Sequence, residues 1–410
     1  MNGQRVLVVS TLALALGGTV RAQEPPAPAP PPQAAPAAPS PAALQEAKDA
    51  FKKGSCPEAL DASLRVLQEQ PKNLEALYIA GACERQLNQL DAAKGHLDTL
   101  LEASPNFPLV YFQLGYVGFL AADARAREGK APEAKAAYGA AADLFGKELE
   151  RNPTHAASLS SRAIALGRAG RTDESVTAHD AWIAAAPQKN EPVVSLAATY
   201  AGAGRSTDAM AALDRLPDTS TKATFDAVLA AASVFQARRD WGAAVPFLEK
   251  AAQTDPASTS ARADLTVACA RAGQVDDAVR NLKALLAMEP TPDEAEAAGE
   301  AIKAAIGDGK SAPAVPGVEP AAVLRIPTPR YPKGQDMTVQ TEVLVLVLVK
   351  KDNTVGDAVM VPNRIWKDMR ATGFEQEALD AVKRGKFVAG TKDAAPADLW
   401  VVAAVKFARN

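Results

Sequence analysis

The chain has 410 residues, of which 48% are hydrophobic and 5% aromatic, and 45 Lys and Arg stand against 48 Asp and Glu for a net charge of −3. This length accommodates two or more domains. The near-balance of charge argues against a general nucleic-acid binder, because such a protein needs a basic field to displace counterions.

The N-terminus is typical of a secretion signal. Arg5 gives a positive start, residues 6–16 are apolar, and residues 20–22 (VRA) fit a small-residue cleavage site. We therefore expect a signal peptide over residues 1–22 and a mature start at Gln23. The apolar stretch is short for a membrane span, which takes about 20 residues. An uncleaved membrane anchor is the alternative, and the first residue of the mature chain distinguishes the two.

The segment that follows, residues 23–41, is rich in Pro and Ala. Such a composition cannot build a packed core and favours the polyproline II conformation. We expect a disordered spacer before the first folded unit.

Prolines then recur with a fixed spacing. Intervals of 34 residues separate Pro71 from Pro105, Pro153 from Pro187, and Pro256 from Pro290. Small residues stand 12 and 24 positions before these prolines, as at Ala93 and Gly81, and Gly or Asn is frequent 17 positions before them. Small residues let two helices approach closely, Gly permits the turn between them, and Pro ends the second helix. The pattern predicts a solenoid of helical hairpins.

This pattern resembles the tetratricopeptide repeat (TPR), whose small–small–proline signature matches Gly81, Ala93 and Pro105. The resemblance implies a right-handed α-solenoid over residues 42–306. Seven units fit the phase: 42–73, 74–107, 108–155, 156–189, 190–222, 225–258 and 259–292. Residues 293–306 should form a polar-faced capping helix, which the end of a solenoid needs for solubility.

Two units depart from the repeat. The third is 14 residues too long, with its turn at Gly129 seven residues late and Pro153 seven later still. We expect both of its helices to be extended by about two turns and to project as a paired spur, and a floppy turn insertion is the alternative. In the fifth unit Thr221 replaces the proline and Pro217 closes the helix early, which predicts a weak joint.

Three cysteines lie within the solenoid. Cys56 and Cys83 fall on neighbouring elements that should run side by side, so they either form a disulfide, which an oxidising compartment allows, or remain two buried thiols. Cys269 falls on an inward helical position and should be an inert small apolar residue.

The last hundred residues differ in composition. Residues 307–322 read as an interdomain linker. Residues 339–349 and 355–361 predict two strands, residues 374–382 a helix, and residues 399–407 a final strand. The fold class is therefore α+β, with the solenoid followed by a small ββαβ domain over residues 323–410.

This terminal stretch resembles the C-terminal domain of TonB-type energy transducers over residues 327–409. The matching features are Arg330-Tyr331-Pro332, the apolar strand at residues 343–349, the helix before Lys386-Phe387 and the strand that ends at Phe407. The resemblance implies a periplasmic protein of a Gram-negative bacterium. The first strand is apolar on both faces, so its second face needs a cover: the segment 323–331, the solenoid or a partner.

No catalytic constellation is evident. The histidines, His96, His155 and His179, have no partners at metal-ligand spacing, and His179 occupies a packing position that other units fill with leucine. We find no nucleophile elbow, phosphate loop or HExxH run. We expect a non-enzymatic protein without metal or cofactor; an enzyme with an unusual site in the groove is the alternative.

Aromatic residues cluster on the first helices of the hairpins, which line the concave groove in this repeat. The groove-facing positions are Tyr78, Phe112, Tyr116, Phe119 and Ile164. Exposed aromatic clusters are typical binding anchors. The alternative is that some of them, Phe119 above all, pack within the extended hairpin.

These features predict a periplasmic scaffold or adaptor that binds a protein or peptide of the cell envelope through the groove and the small sheet. It would use no nucleic acid and no small-molecule cofactor, and would meet membranes only through its partners. The alternative is an anchored, TonB-like component of energy-coupled outer-membrane transport.

Overall fold

A computed structural model describes residues 41–307, 317–335 and 341–407. The predicted signal peptide, most of the Pro/Ala-rich spacer and residues 308–316 of the predicted linker lie outside the described residues.

The first part of the chain is a helical array of seven hairpins and one final helix, as the proline spacing predicts. The first helices of the hairpins are α1 (Pro41–Lys52), α3 (Leu74–Gln86), α5 (Val110–Arg127), α7 (Ala156–Ala169), α9 (Glu191–Gly202), α11 (Thr221–Ala237) and α13 (Thr259–Arg271). The second helices are α2 (Cys56–Glu69), α4 (Leu90–Ala103), α6 (Ala131–Arg151), α8 (Thr172–Ala185), α10 (Ser206–Leu213), α12 (Trp241–Thr254) and α14 (Val275–Ala287).

The final helix of the array is α15 (Pro292–Ile306). It starts with a capping box, in which the Thr291 hydroxyl accepts from the Glu294 amide and the Glu294 carboxylate accepts from the Thr291 amide. This arrangement satisfies backbone N–H groups that the first turn leaves without helical partners. The helix that the sequence predicts at residues 293–306 is therefore confirmed.

The small residues of the repeat act as the spacing predicts. A Cβ added to Gly81 would lie 2.6 Å from Leu97 Cγ and 3.3 Å from the Ala93 carbonyl oxygen. The turns follow the same logic, because the residues 17 positions before five of the six prolines, all but Pro153 of the longer third unit, have positive φ: Gly54, Asn88, Gly170, Arg239 and Gly273. The close approach of the two helices and the turn between them thus depend on the small and positive-φ residues that recur at fixed positions in the units.

The third hairpin is extended in both helices. α5 has 18 residues and α6 has 21, against 13 for α3 and 14 for α4. Gly129 makes the turn with φ +77°. Ala122, Ala134 and Tyr138 are buried between the two extensions. The paired spur is confirmed, and the floppy insertion is wrong.

The fifth hairpin ends early. α10 has eight residues and stops at Leu213. The connection to α11 is held by Asn190, whose side-chain amide donates to the Asp218 carbonyl at 3.1 Å and accepts from the Asp218 amide at 3.0 Å. Thr221, which replaces the proline, begins α11. In this unit the hydrogen bonds of Asn190 hold the connection between the hairpins, where the other units have a helix that ends before a proline.

The terminal part is a set of small antiparallel sheets with two short helices. Its strands are β1 (Val318–Glu319), β2 (Ala322–Arg325), β3 (Thr341–Val349), β4 (Val355–Met360), β5 (Lys386–Val388), β6 (Gly390–Lys392), β7 (Ala395–Ala397) and β8 (Leu399–Phe407). Its helices are α16 (Trp366–Ala371) and α17 (Phe374–Lys383). The main sheet has the order β4-β3-β8, with Val345 opposite both Met360 and Ala403. The three strands and the helix of the predicted ββαβ order are present.

The structure differs from the sequence prediction around this core. Residues 318–319 and 322, which the sequence assigned to the linker, pair with β6 and β5. Strands of two to four residues are too short to show an alternating pattern, so only the long strands give a signal.

The solenoid covers the second face of β3. Leu346 is fully buried, and residues opposite each other across the strands share a face. On the face of Leu346, Trp400 of β8 donates through Nε1 to Asp276 of α14 at 2.7 Å, and Asp357 of β4 pairs with Lys283 of α14. The buried residues of the last hairpins and of the sheet form one continuous hydrophobic cluster. Of the three covers considered, the solenoid is therefore the one the structure uses.

The contact continues along α15. Arg364 Nε lies 3.0 Å from Glu296 Oε2. Gly299 meets Pro362 so closely that an added Cβ would lie 2.8 Å from the ring and 3.1 Å from the Pro362 carbonyl oxygen. The terminal sheet therefore docks on the last helices of the array.

Candidate functional site

The five predicted groove residues form a half-buried surface, which we call the aromatic surface: Tyr78, Phe112, Tyr116, Phe119 and Ile164. They lie on α3, α5 and α7, the first helices of three successive hairpins. On α5 the three aromatic residues follow helical spacing, at i, i+4 and i+7, so they share one face.

The rings of α5 contact one another in series. Phe112 and Tyr116 have ring centroids 5.8 Å apart, and Tyr116 and Phe119 6.2 Å apart. Phe112 also rests on buried Phe145 at 5.9 Å. Tyr78 stands apart from this series, between Phe51 at 6.1 Å and Phe107 at 5.4 Å.

Phe119 is partly absorbed by the spur. Its ring lies 5.3 Å from that of Tyr138 on α6, and the guanidinium of Arg168 on α7 lies 4.9 Å above it. Packing within the extended hairpin, the alternative given above for this residue, is thus what the structure shows, although Phe119 keeps partial exposure. Ile164 packs on the same buried cluster as Phe112 and Tyr116.

Polar residues that were not predicted from the sequence connect Tyr78 to the ring series of α5. Arg85 of α3 has its guanidinium 4.7 Å from the centre of the Tyr116 ring and donates from Nε to Gln113 Oε1 at 2.9 Å. Gln113 Nε2 donates in turn to Tyr78 Oη at 3.2 Å. The sequence contains a signal for Arg85, because this residue lies two helical turns after Tyr78 and therefore on the same face of the helix.

A second polar group lies at the base of the spur. Asp123 accepts hydrogen bonds from Arg168 and from the Tyr138 hydroxyl. Burial and the bond to Asp123 raise the pKa of Tyr138, and the guanidinium of Arg168 opposes that rise. This group fastens α5, α6 and α7 together and leaves the charge of Arg168 compensated.

The histidines play packing and hydrogen-bonding roles. His155 makes an edge contact with Phe112 at 5.0 Å, and His96 Nδ1 lies 2.8 Å from buried Glu84. His179 is fully buried, with Nδ1 2.8 Å from the Ser175 carbonyl and Nε2 2.9 Å from Ser195 Oγ. This geometry assigns the proton to Nδ1, since a carbonyl only accepts. His179 is thus a packed core residue.

We expect the fold to weaken in mild acid because of His179. Burial lowers its pKa below the usual value, so the unfolded chain binds its proton first as the pH falls. Stability should decrease below about pH 6.5, by at most about 1.4 kcal/mol per pH unit for this one group. Urea unfolding at pH 7.5 and 5.5 measures the loss. In His179→Leu this contribution should disappear, and an unchanged acid dependence in that variant would contradict the assignment.

The cysteine pair lies where the sequence places it. Cys56 and Cys83 are both buried, and the structure has both as thiols. Cys56 Sγ donates to Gln86 Oε1 at 3.1 Å, while burial and the neighbouring Cys56 thiol raise the pKa of Cys83. The disulfide stays a prediction. Cys269 is also buried, and burial raises the pKa of its thiol to about 11, which fits an inert residue.

Within residues 41–307, 317–335 and 341–407, no group of three His, Cys, Asp or Glu side chains is placed to hold a metal ion. In the same ranges no helix is both long and apolar enough to cross a membrane.

Comparison with known proteins places repeats at both ends of the array. Residues 44–108 and residues 235–306 each match a tetratricopeptide repeat model. The chain is thus a helical TPR array followed by a small antiparallel β region. A comparison with curated proteins gave no match.

Among solved structures, a crystal structure of MamA protein is 19% identical, with a TM-score of 0.36, over 42% of this chain and 87% of that one. MamA from Desulfovibrio magneticus RS-1 is 15% identical, with a TM-score of 0.37, over 43% of this chain and 94% of that one. At these TM-scores the likeness adds nothing to what the repeat models establish.

Proposed function

We propose that this chain is a non-enzymatic scaffold of the bacterial cell envelope that holds a protein or peptide on its aromatic surface. The observation that carries the proposal is the chain of half-buried rings on α5, flanked by Tyr78 and Ile164 on the neighbouring first helices. Aromatic side chains offer large contact area at low entropic cost and are frequent interface anchors. The TPR repeats of the chain also support a role in protein–protein interaction.

The terminal sheet would provide a second contact. Among the described residues β8 pairs with β3 alone, so the other edge of this nine-residue strand has no hydrogen-bonded strand partner there. An open edge can accept an extended segment of a partner. The resemblance to TonB-type C-terminal domains supports this role. Since the second face of the sheet is covered by the solenoid, the strand edges are the parts of the sheet that remain for a partner.

The envelope location rests on the predicted signal peptide with cleavage before Gln23 and on the TonB-type resemblance. The docking of the sheet on α14 and α15 joins both contacts in one molecule. A partner could therefore reach the aromatic surface and the β8 edge on a single scaffold.

We expect Tyr116→Ala to remove partners that co-purify with the full chain from an envelope extract. Tyr116 lies in the middle of the α5 ring series, so its loss divides the surface. The matched control is Tyr111→Ala, on the same helix, because Tyr111 is stacked by Lys147 and Arg151 of α6 instead. Quantitative mass spectrometry of the captured proteins reads out the result. Equal capture by both variants and the wild type would contradict the proposal.

A further inference from the structure

Arg85 is held in a fixed position against Tyr116 of the aromatic surface. Its guanidinium lies 4.7 Å from the centre of the Tyr116 ring. Its Nε donates to Gln113, which is 5% exposed and is itself anchored by Tyr78 Oη. Two neighbouring helices thus fix both the plane and the direction of the guanidinium before any partner arrives.

The charge of Arg85 is uncompensated within the described part of the chain. Its Nε–H is used by Gln113, but its Nη groups have no hydrogen-bond partner there, and none of the ion pairs includes it. Arg168 makes a useful contrast, because it also stacks on aromatic rings of the surface but is paired with Asp123. Of these two stacked guanidinium groups, Arg85 is the one that keeps its charge and donors for a ligand.

These observations define the chemistry of a ligand. A guanidinium presents parallel N–H donors that match the two oxygens of a carboxylate, and such charge-assisted bonds are stronger than neutral ones. The half-buried rings beside it offer contact to an apolar side chain. An uncharged segment, such as the Pro/Ala-rich residues 25–41, would use the rings but leave Arg85 without a partner.

We propose that Arg85 binds a carboxylate of an acidic, aromatic-containing protein segment, which places its apolar side chains on Tyr78, Phe112 and Tyr116. This inference rests on the proposed function, because it names the kind of segment that the aromatic surface takes. It adds Arg85 as the residue that determines specificity and Gln113 as the residue that positions it.

The test uses the purified full chain and two fluorescein-labelled peptides, Gly-Glu-Phe-Glu-Phe-Glu-Gly and its counterpart with Gln in place of every Glu. Fluorescence anisotropy should show the acidic peptide binding at least about tenfold more tightly than the amide peptide. Arg85→Gln should abolish that preference, so that the two peptides bind with equal affinity. Arg85→Lys should restore only part of it, because an ammonium group lacks the planar fork.

The matched control is Arg151→Gln. Arg151 also stacks on a tyrosine, with its guanidinium 4.4 Å from the Tyr111 ring, but lies outside the aromatic surface, so this change should not alter either affinity. Circular dichroism shows whether each variant is folded. The inference is overturned if wild type does not bind the acidic peptide, if it binds both peptides equally, or if Arg85→Gln keeps the preference.

The failure of this inference is distinguishable from failure of the proposed function. If partners are lost on Tyr116→Ala but retained on Arg85→Gln, the role of Arg85 is contradicted while the scaffold function is supported. Binding of a peptide with the sequence of residues 25–41 in preference to the acidic peptide would also overturn the inference, because the rings alone would then select the ligand.

Discussion

Phe145→Ala should lower the free energy of unfolding of the repeat array by about 3–5 kcal/mol, the range for removing a large aromatic side chain from a packed core. Phe145 is fully buried in α6. A Cβ added to Gly115 of α5 would lie 2.9 Å from its ring, so the ring fills the space that this glycine leaves. Its loss creates a cavity between the two helices of the spur, directly beneath Phe112.

The control for this variant is Phe145→Leu. Leucine stands at the equivalent position, eight residues before the proline, in three other hairpins as Leu97, Leu248 and Leu282, each fully buried. This change keeps most of the volume and should cost less than about 1.5 kcal/mol. Urea denaturation followed by circular dichroism measures both. Equal losses for the two variants would mean that the cavity is not what destabilises the array.

Gly299→Leu should weaken the docking of the terminal sheet and lower the thermal midpoint of the last hairpins. An added Cβ meets the Pro362 ring at 2.8 Å and the Pro362 carbonyl oxygen at 3.1 Å, and neither a proline ring nor a backbone oxygen can yield cheaply. Overpacking of this kind costs about 1–3 kcal/mol. Since one hydrophobic cluster spans the last hairpins and the sheet, the loss should appear in both.

Gly95→Leu is the matched control for the docking prediction. Gly95 also lies within a helix, α4, but has no heavy atom within 4 Å of its added Cβ. Leucine gains helix propensity over glycine there by about 1 kcal/mol, so the thermal midpoint of Gly95→Leu should not fall. Scanning calorimetry compares the two. A midpoint for Gly299→Leu as high as that of the control would show that the sheet does not depend on this contact.

The repeat array could be predicted from sequence because each signal is local. Proline ends a helix, glycine or asparagine makes the turn, and small residues mark the close approach of two helices. Each of these shows at a fixed distance along the chain, which is why the extra length at Gly129 translates directly into two longer helices. The apolar strand at residues 343–349 was evident for the same reason.

The docking of the sheet could not be predicted in the same way. The sequence indicates that β3 needs a cover on its second face, but not which of three candidates supplies it. The contacts of Trp400 with Asp276 and of Lys283 with Asp357 join residues far apart in the chain, and no periodic pattern links them. Strands as short as β1 and β6 are likewise set by the neighbours they pair with, not by their own residues.

The candidate site was predictable in part. Helical spacing placed the aromatic residues on one face, but it gave no measure of how far each ring sinks into its neighbours. Phe119 is drawn toward Tyr138 by the spur, which depends on the pairing of α5 with α6. Arg85 matters because buried Gln113 on another helix orients it, and this relation appears only when the helices are packed.

Site-specific photo-crosslinking tests most directly whether the aromatic surface is where partners bind. The photoreactive residue p-benzoylphenylalanine would replace Tyr116 in one full-length variant and Tyr111 in another, and each would be irradiated in an envelope extract. We predict a covalent adduct with a partner protein at position 116 and none at position 111. Adducts of equal yield at both positions, or at position 111 alone, would contradict the account.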